Sequence, residues 1–286
     1  MNEQQQEWDL IIKPQNKWYA IDFLSIWRYK DLLFLLVRRD FVSVYKQTVL
    51  GPFWFLIQPI MTTITLTILG GITGISTDGM PRILFYLSGI TLWTYFADCL
   101  NKTSNVFVAN AGVFGKVFFP RLVMPLSIIL SNLIKLAVQL ALFLSVWLYF
   151  YFKTSIVSPH LSYIWLLPFL IFLMAGLGLG FGVLISSLTT KYRDFTFLIG
   201  FGVQLLMYAS PIIYPISMVK QKLPEYVGLF LLNPIASIIE TFKYIFLGTG
   251  YFSWGALAYS TGFMIVLLTI AIVIFNKVEK SFMDTV

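Results

Sequence analysis

Residues 122–150 read LVMPLSIILSNLIKLAVQLALFLSVWLYF, with Lys135 as the single charge. The stretch exceeds the roughly 20 apolar residues that cross a bilayer core of about 30 Å. Five more apolar segments flank it, near 51–75, 83–105, 164–188, 195–216 and 255–276. The whole chain agrees: 58% of its 286 residues are apolar and 12% are charged, against about 25% charged in an ordinary soluble domain. Mean hydropathy is +0.81. These values exclude a disordered chain, a nucleic-acid module and an ordinary soluble enzyme. They indicate an all-α polytopic membrane protein with six spans.

The net charge of +7 reads as topology, because basic residues gather in cytoplasmic loops. With six spans both termini share a side. That side collects fourteen Lys and Arg, seven of them before residue 50, and the other collects five: Arg82, Lys153, Lys220, Lys222 and Lys243. Both termini are therefore expected in the cytoplasm. Cys99 is the single cysteine, so no intrachain disulfide forms. The polar, acidic start MNEQQQEWD lacks the basic and apolar regions of a cleavable signal peptide.

Three regions lie outside the spans. Residues 1–23 read as a cytoplasmic tail. Residues 24–50 contain an apolar run, Leu32–Val37, between Arg28, Lys30 and Asp31 on one side and Arg38, Arg39 and Asp40 on the other. Leu33, Leu36, Val37, Phe41 and Val44 fall at helical spacing, which predicts an amphipathic helix in the membrane interface. Within the membrane body, residues 51–286, the loop at 101–121 carries Val106, Phe107, Val113, Phe114, Val117, Phe118 and Phe119, unusual residues to leave in water. A short helix docking a partner is the favoured reading, and a solvated loop the alternative. Residues 217–253 contain two short apolar runs, Val227–Leu232 and Ile235–Leu247, read as helices dipping into the outer face.

Among chemical motifs, no G-x-x-x-x-G-K-[ST] phosphate loop, HExxH or CxxC occurs. His160, the only histidine, reads as an exposed loop residue. The run Gly176-Leu177-Gly178-Leu179-Gly180-Phe181-Gly182 fails the dinucleotide spacing and reads as close helix packing through small-xxx-small pairs. Lys135 lies roughly 20 Å into its span at 1.5 Å per residue, where insertion costs about 2.5–3.5 kcal/mol. With Asn132 and Gln139 it forms a polar stripe on one helix face. That stripe faces either a pathway or a neighbouring helix, with Asp98 or a backbone carbonyl as partner; ion coupling is the less favoured option, since no carboxylate is evident mid-span beside Lys135. Phe, Tyr and Trp make up 17% of the chain, enough for an aromatic-lined conduit on which sugar faces stack and slide, although belt and lipid-facing positions account for most of them.

Arg39-Asp40-Phe41-Val42-Ser43-Val44-Tyr45-Lys46-Gln47-Thr48-Val49-Leu50-Gly51-Pro52-Phe53-Trp54, followed by Leu56-Ile57-Gln58-Pro59, resembles the start of bacterial polysaccharide ABC exporter permeases, the type-2 exporters of O-antigen, capsule and teichoic acid. Phe85-Tyr86-Leu87-Ser88-Gly89, Gly115-Lys116-Val117-Phe118-Phe119-Pro120-Arg121, Lys191-Tyr192-Arg193-Asp194, Ser210-Pro211-Ile212-Ile213-Tyr214-Pro215 and Leu232-Asn233-Pro234-Ile235 follow in family order. The style is most like the membrane subunit of O-antigen lipopolysaccharide transporters. The resemblance implies a homodimer of six-span subunits in the bacterial inner membrane, with two separate ATP-binding cassette subunits that bind ATP and Mg. The chain itself would hold no cofactor or metal, carry no catalytic residue and bind no nucleic acid. It further implies an interface helix at about Trp27–Lys46, a coupling helix around Asn105–Lys116 with Asn105, Asn110, Phe114 and Lys116, and an outer gate within Val219–Gly248. Trp54, Tyr86, Tyr95, Phe96, Tyr208 and Tyr214 are the expected conduit aromatics for a lipid-linked polysaccharide. Arg38, Arg39 and Lys46 either attract the carrier pyrophosphate or serve as ordinary cytoplasmic charge.

Three rivals stay in view. An ABC exporter of another lipid or drug would share the fold. A secondary transporter would show inverted repeats and intramembrane carboxylates, and neither is evident. A membrane glycosyltransferase would need clustered acids, whereas Asp98, Asp194 and Glu240 are scattered over both faces.

Overall fold

The computed structural model describes residues 23–46, 48, 50–114, 119–154, 156–189 and 194–281. Thirteen α-helices follow in order: α1 (Phe23–Arg28), α2 (Lys30–Tyr45), α3 (Trp54–Thr73), α4 (Arg82–Ser104), α5 (Val106–Ala109), α6 (Ala111–Phe114), α7 (Val123–Lys153), α8 (Leu167–Thr189), α9 (Phe195–Tyr208), α10 (Ile216–Lys222), α11 (Val227–Leu231), α12 (Pro234–Leu247) and α13 (Trp254–Ser281). No strand occurs among the described residues. The expected tail lies outside them, apart from its last residue.

Among the described residues, five helices are long and apolar enough to cross a membrane: Gly51–Thr73, Arg82–Ser104, Val123–Lys153, Leu161–Thr189 and Trp254–Lys277. They match five of the six expected segments. The fifth expected span, 195–216, is shorter. α9 has 14 residues, about 21 Å at 1.5 Å per residue, and Ala209–Pro215 is turn. Pro211 ends the helix, because its ring clashes with the preceding turn and it has no N–H to donate. The Tyr214 hydroxyl then donates to the Tyr208 carbonyl and folds the chain back.

Contacts at the helix ends establish the topology. Leu36 of α2, Phe107 of α5, Val123 of α7 and Phe275 of α13 share one cluster, so both described chain ends lie on one face, the near face. The Thr189 hydroxyl donates to the Ser104 carbonyl, which brings the end of α8 there too. At the far face, α7 ends beside α12, with the Trp147 indole donating to the Phe246 carbonyl. α13 starts there, with Trp254 stacked on Trp165. α9 begins at the near face, where Thr196 reaches Asn105, and the chain after it reaches the far loop, where Ser217 bonds Asp78. α9 and the turn after it therefore complete the sixth crossing. α11 and α12 meet at a 98° bend. Since the chain is on the far side both before α10 and after α12, this pair is a re-entrant element rather than a seventh crossing.

α4 is the central helix. It is buried over most of its length although Ser, Thr, Asp98, Asn101 and Lys102 interrupt its apolar residues. Its Ser88, Thr91 and Thr94 hydroxyls bond back to carbonyls of their own helix, so they carry no unmet hydrogen bond into the core. α8 packs against α4 and α13 through the glycine run, as the small-residue reading requires. A Cβ on Gly178 would sit 2.8 Å from Cys99 Cβ and one on Gly182 2.5 Å from Thr103 Cβ, both on α4. Gly176 and Gly180 instead abut Met264 and Leu267 of α13. Two interleaved glycine pairs thus let one helix approach two neighbours.

Candidate coupling surface and membrane pathway

At the near face, the expected interface helix is two helices, α1 and α2, broken at Tyr29. Leu36 is buried against the cluster around Val123 and Phe275, and Phe41 lies against Phe55 of α3. The opposite side exposes Trp27, Phe34 and Leu35 next to Arg38 and Arg39, a mixture suited to the headgroup boundary. Arg39 is held by Asp40 at 2.7 Å. Arg38 and Lys46 are exposed.

The loop between the second and third spans forms two single-turn helices, α5 and α6. Its apolar residues divide into two sets. Val106, Phe107 and Phe119 are buried in the chain's own core, with Phe107 stacked on Phe275 at 4.7 Å. Those three therefore need no partner, contrary to the sequence expectation. Val108 and Val113 are exposed and leave an apolar patch on the near face. Asn105 and Asn110 bond backward, Asn105 Nδ2 to the Asn101 carbonyl and Asn110 Nδ2 to the Val106 carbonyl. They shape the turns, and Asn105 also accepts from Thr196 of α9 at 3.5 Å. Lys116, Val117 and Phe118, the Phe114 side chain, and Lys191, Tyr192 and Arg193 lie outside the described residues.

The polar stripe of α7 faces neighbouring helices. Lys135 pairs with Asp98 of α4 at 2.6 Å, the neighbouring-helix alternative with Asp98 as partner; a carboxylate therefore does stand beside it, contrary to the ground given against ion coupling. Asn132 accepts from Lys102 at 2.9 Å and approaches Cys99 Sγ at 3.8 Å. Gln139 donates to the Phe55 carbonyl at 3.1 Å. The stripe therefore ties α7 to α4 and α3.

A second ion pair carries no part in the sequence expectations. Lys243 and Glu240 of α12 are 3.4 Å apart, each with 1% of its side chain exposed. Lys243 Nζ also donates to the Pro211 carbonyl at 2.5 Å and lies 3.7 Å from the centre of the Phe85 ring. Glu240 Oε2 accepts from the Tyr251 N–H at 3.0 Å. One pair thus joins the turn after α9, α12, the loop before α13 and α4. Lys243 is not an exposed outer charge, as the orientation count assumed. The i, i+3 spacing was the signal available in sequence. His160 is likewise not a free loop residue: its ring stacks on Tyr244 at 4.1 Å and its backbone N–H donates to the Ile245 carbonyl.

The six conduit aromatics do not come together. Tyr86, Tyr95 and Phe96 are fully buried inside the chain, away from any open surface, because α4 is enclosed on all sides. Trp54 and Tyr208 are about half exposed. Tyr214 is partly buried in the wall of a far-face cavity.

A bundle of apolar crossing helices, with an exposed apolar patch on one face and a re-entrant element on the other, defines a polytopic membrane protein. The family match makes the class specific. Residues 31–247 match the ABC-2 type transporter family, and the chain belongs to that family. A relative from Klebsiella pneumoniae, O-antigen export system permease protein RfbA, is 27% identical over 256 residues, 89% of this chain and 94% of the relative. The protein of the same name from Myxococcus xanthus is 22% identical over 224 residues, 78% and 82% of the two chains.

Proposed function

We propose that this chain is the membrane permease subunit of an ATP-driven exporter of lipid-linked polysaccharide of the O-antigen type. The observation that carries the reading is its similarity to O-antigen export permeases over nearly the whole length of both proteins. No phosphate loop occurs in the sequence, so ATP and Mg belong to two separate ATP-binding cassette subunits. They dock on Val108 and Val113. The membrane is the bacterial inner membrane and the termini are cytoplasmic, in keeping with Arg28, Lys30, Arg38, Arg39, Lys46, Lys102, Arg121 and Lys277 near the terminal face.

The working unit is a homodimer, and α9 supplies the face for the second copy. It is too short to match the bilayer core alone, and irregular backbone such as Ala209–Pro215 persists at membrane depth only under protein or beside water. Gly200 and Gly202 meet nothing within 4 Å of an added Cβ, which leaves their backbone open to close approach by another helix. Closure of the ATPases pushes α5 and α6. The Asn105–Thr196 contact passes that motion to α9, and the turn after α9 passes it to the re-entrant helices. Trp54 and Tyr208 are the exposed aromatics over which the sugar slides, while Arg38 and Lys46 face the carrier phosphates.

The test is the double variant Val108→Asp and Val113→Asp. Both side chains are exposed, so the protein inserts and extracts normally, while ATPase co-purification and surface glycan fall at least tenfold, about 1.4 kcal/mol of docking energy. Unchanged glycan export in that variant would remove the coupling role from this surface.

A further inference from the structure

The far face holds a cavity of 630 Å³ between the end of α9, α10 and α11. Its volume is typical of small-molecule sites, about 300–1,000 Å³. The wall is almost wholly apolar, and Leu206, Ala209, Met218, Val219, Leu229 and Phe230 are among its lining.

The polar groups at the cavity are committed elsewhere. The Tyr214 hydroxyl donates to the Tyr208 carbonyl at 2.8 Å. The Asn233 amide nitrogen donates to Ser210 Oγ at 2.9 Å, and its oxygen accepts from the Ile235 N–H at 3.0 Å. Tyr208 Oη accepts from Gln204 at 3.3 Å. A sugar placed here would surrender water from its hydroxyls with too few partners to replace it. A hydrocarbon chain would surrender nothing. The exception is Lys222, which is exposed at the rim and has no ion-pair partner among the described residues. Lys220, its neighbour on α10, lies 4.1 Å from the centre of the Tyr251 ring, so Lys222 is the cation left for a ligand.

We propose that this cavity binds one acyl chain of an anionic phospholipid, with the Lys222 ammonium at the headgroup phosphate. An apolar slot closed by a single lysine matches that amphiphile: the lysine stem lies along apolar surface while the amine stays at the polar boundary. The bound chain fills the gap between α9 and the re-entrant helices and so sets their spacing. The inference rests on the membrane reading of the chain and not on its cargo.

The test uses the full chain in vesicles of phosphatidylcholine with a tracer of phosphatidylglycerol carrying a diazirine at the end of one acyl chain. After irradiation, adducts are mapped by mass spectrometry. The proposal expects adducts concentrated several-fold in 206–233 over the open α3 face at Ile64, Ile68 and Ile72. Lys222→Gln lowers that enrichment, and a phosphatidylcholine probe of the same chain shows less of it. Ala209→Phe, which fills the cavity, abolishes it with an unchanged melting midpoint. Adducts spread evenly over all lipid-facing helices would overturn the site. Equal labelling by both lipids, or none lost in Lys222→Gln, would overturn the headgroup assignment. Neither readout involves glycan or ATPase, so failure here leaves the transport reading to its own test.

Discussion

α8 and α9 follow one another in the chain and share their lettering, yet their surroundings are opposite. α8 carries GLGLGFG at 176–182, and each of its four glycines has a neighbouring helix closer than 3 Å to where a Cβ would be. α9 carries GFG at 200–202, and its glycines meet nothing. Phe197 on α9 is 84% exposed. The same small residues therefore close an interface within the chain in one helix and leave a face open in the next. α8 belongs to the packed wall of the subunit, while α9 keeps an open face, the one proposed above for a second copy.

The largest expected effect falls on the closed side. Gly182→Leu forces a branched side chain into Thr103 and the Leu100 carbonyl. Overpacking costs about 1–3 kcal/mol or more, and here the contact includes backbone, so the variant gives no monodisperse protein after extraction. Next is the buried pair beyond α9. Lys243→Met leaves Glu240 buried without its cation, a loss of about 3–5 kcal/mol, seen as a large drop in thermal midpoint. Glu240→Met added to it recovers part of the drop. Equal midpoints for the single and double variants would show that the pair does not hold the re-entrant element.

Lys135→Met is milder. Its side chain and that of Asp98 are 15% and 21% exposed, so Asp98 keeps some access to polar surroundings and the midpoint falls less than in Lys243→Met. The smallest effect falls on the open side. Gly202→Leu shifts the midpoint little, because no neighbour is struck and leucine favours helix by up to about 1 kcal/mol over glycine. The same change lowers dimer cross-linking. A Gly202→Leu protein as unstable as Gly182→Leu would erase the contrast between the two helices.

Span positions were legible in the sequence because apolar length is a local property, and five of six segments coincide with long helices. The glycine pairs were legible for the same reason: their spacing fixes two faces of one helix. The partners across space were not. Asp98, 37 residues from Lys135, is one of two partners open to it in the sequence, and helical spacing gives the face of α7 without deciding between them. Tyr86, Tyr95 and Phe96 were expected to line a conduit, yet they are buried because α3, α7, α8 and α12 pack round α4, an enclosure that its mixed apolar and polar residues do not reveal. Glu240 and Lys243 stand at i, i+3 spacing, which permits a pair, but spacing alone does not tell that the pair is enclosed and that each charge offsets the other there.

The account stands most directly on subunit composition. Native-membrane purification of the tagged chain under gentle extraction, followed by partner identification and mass measurement, should yield two copies of this chain with two copies of a phosphate-loop ATPase. Recovery of the chain with no ATPase, at the same extraction that keeps it folded, would contradict the permease-subunit reading and leave a transporter that works without ATP.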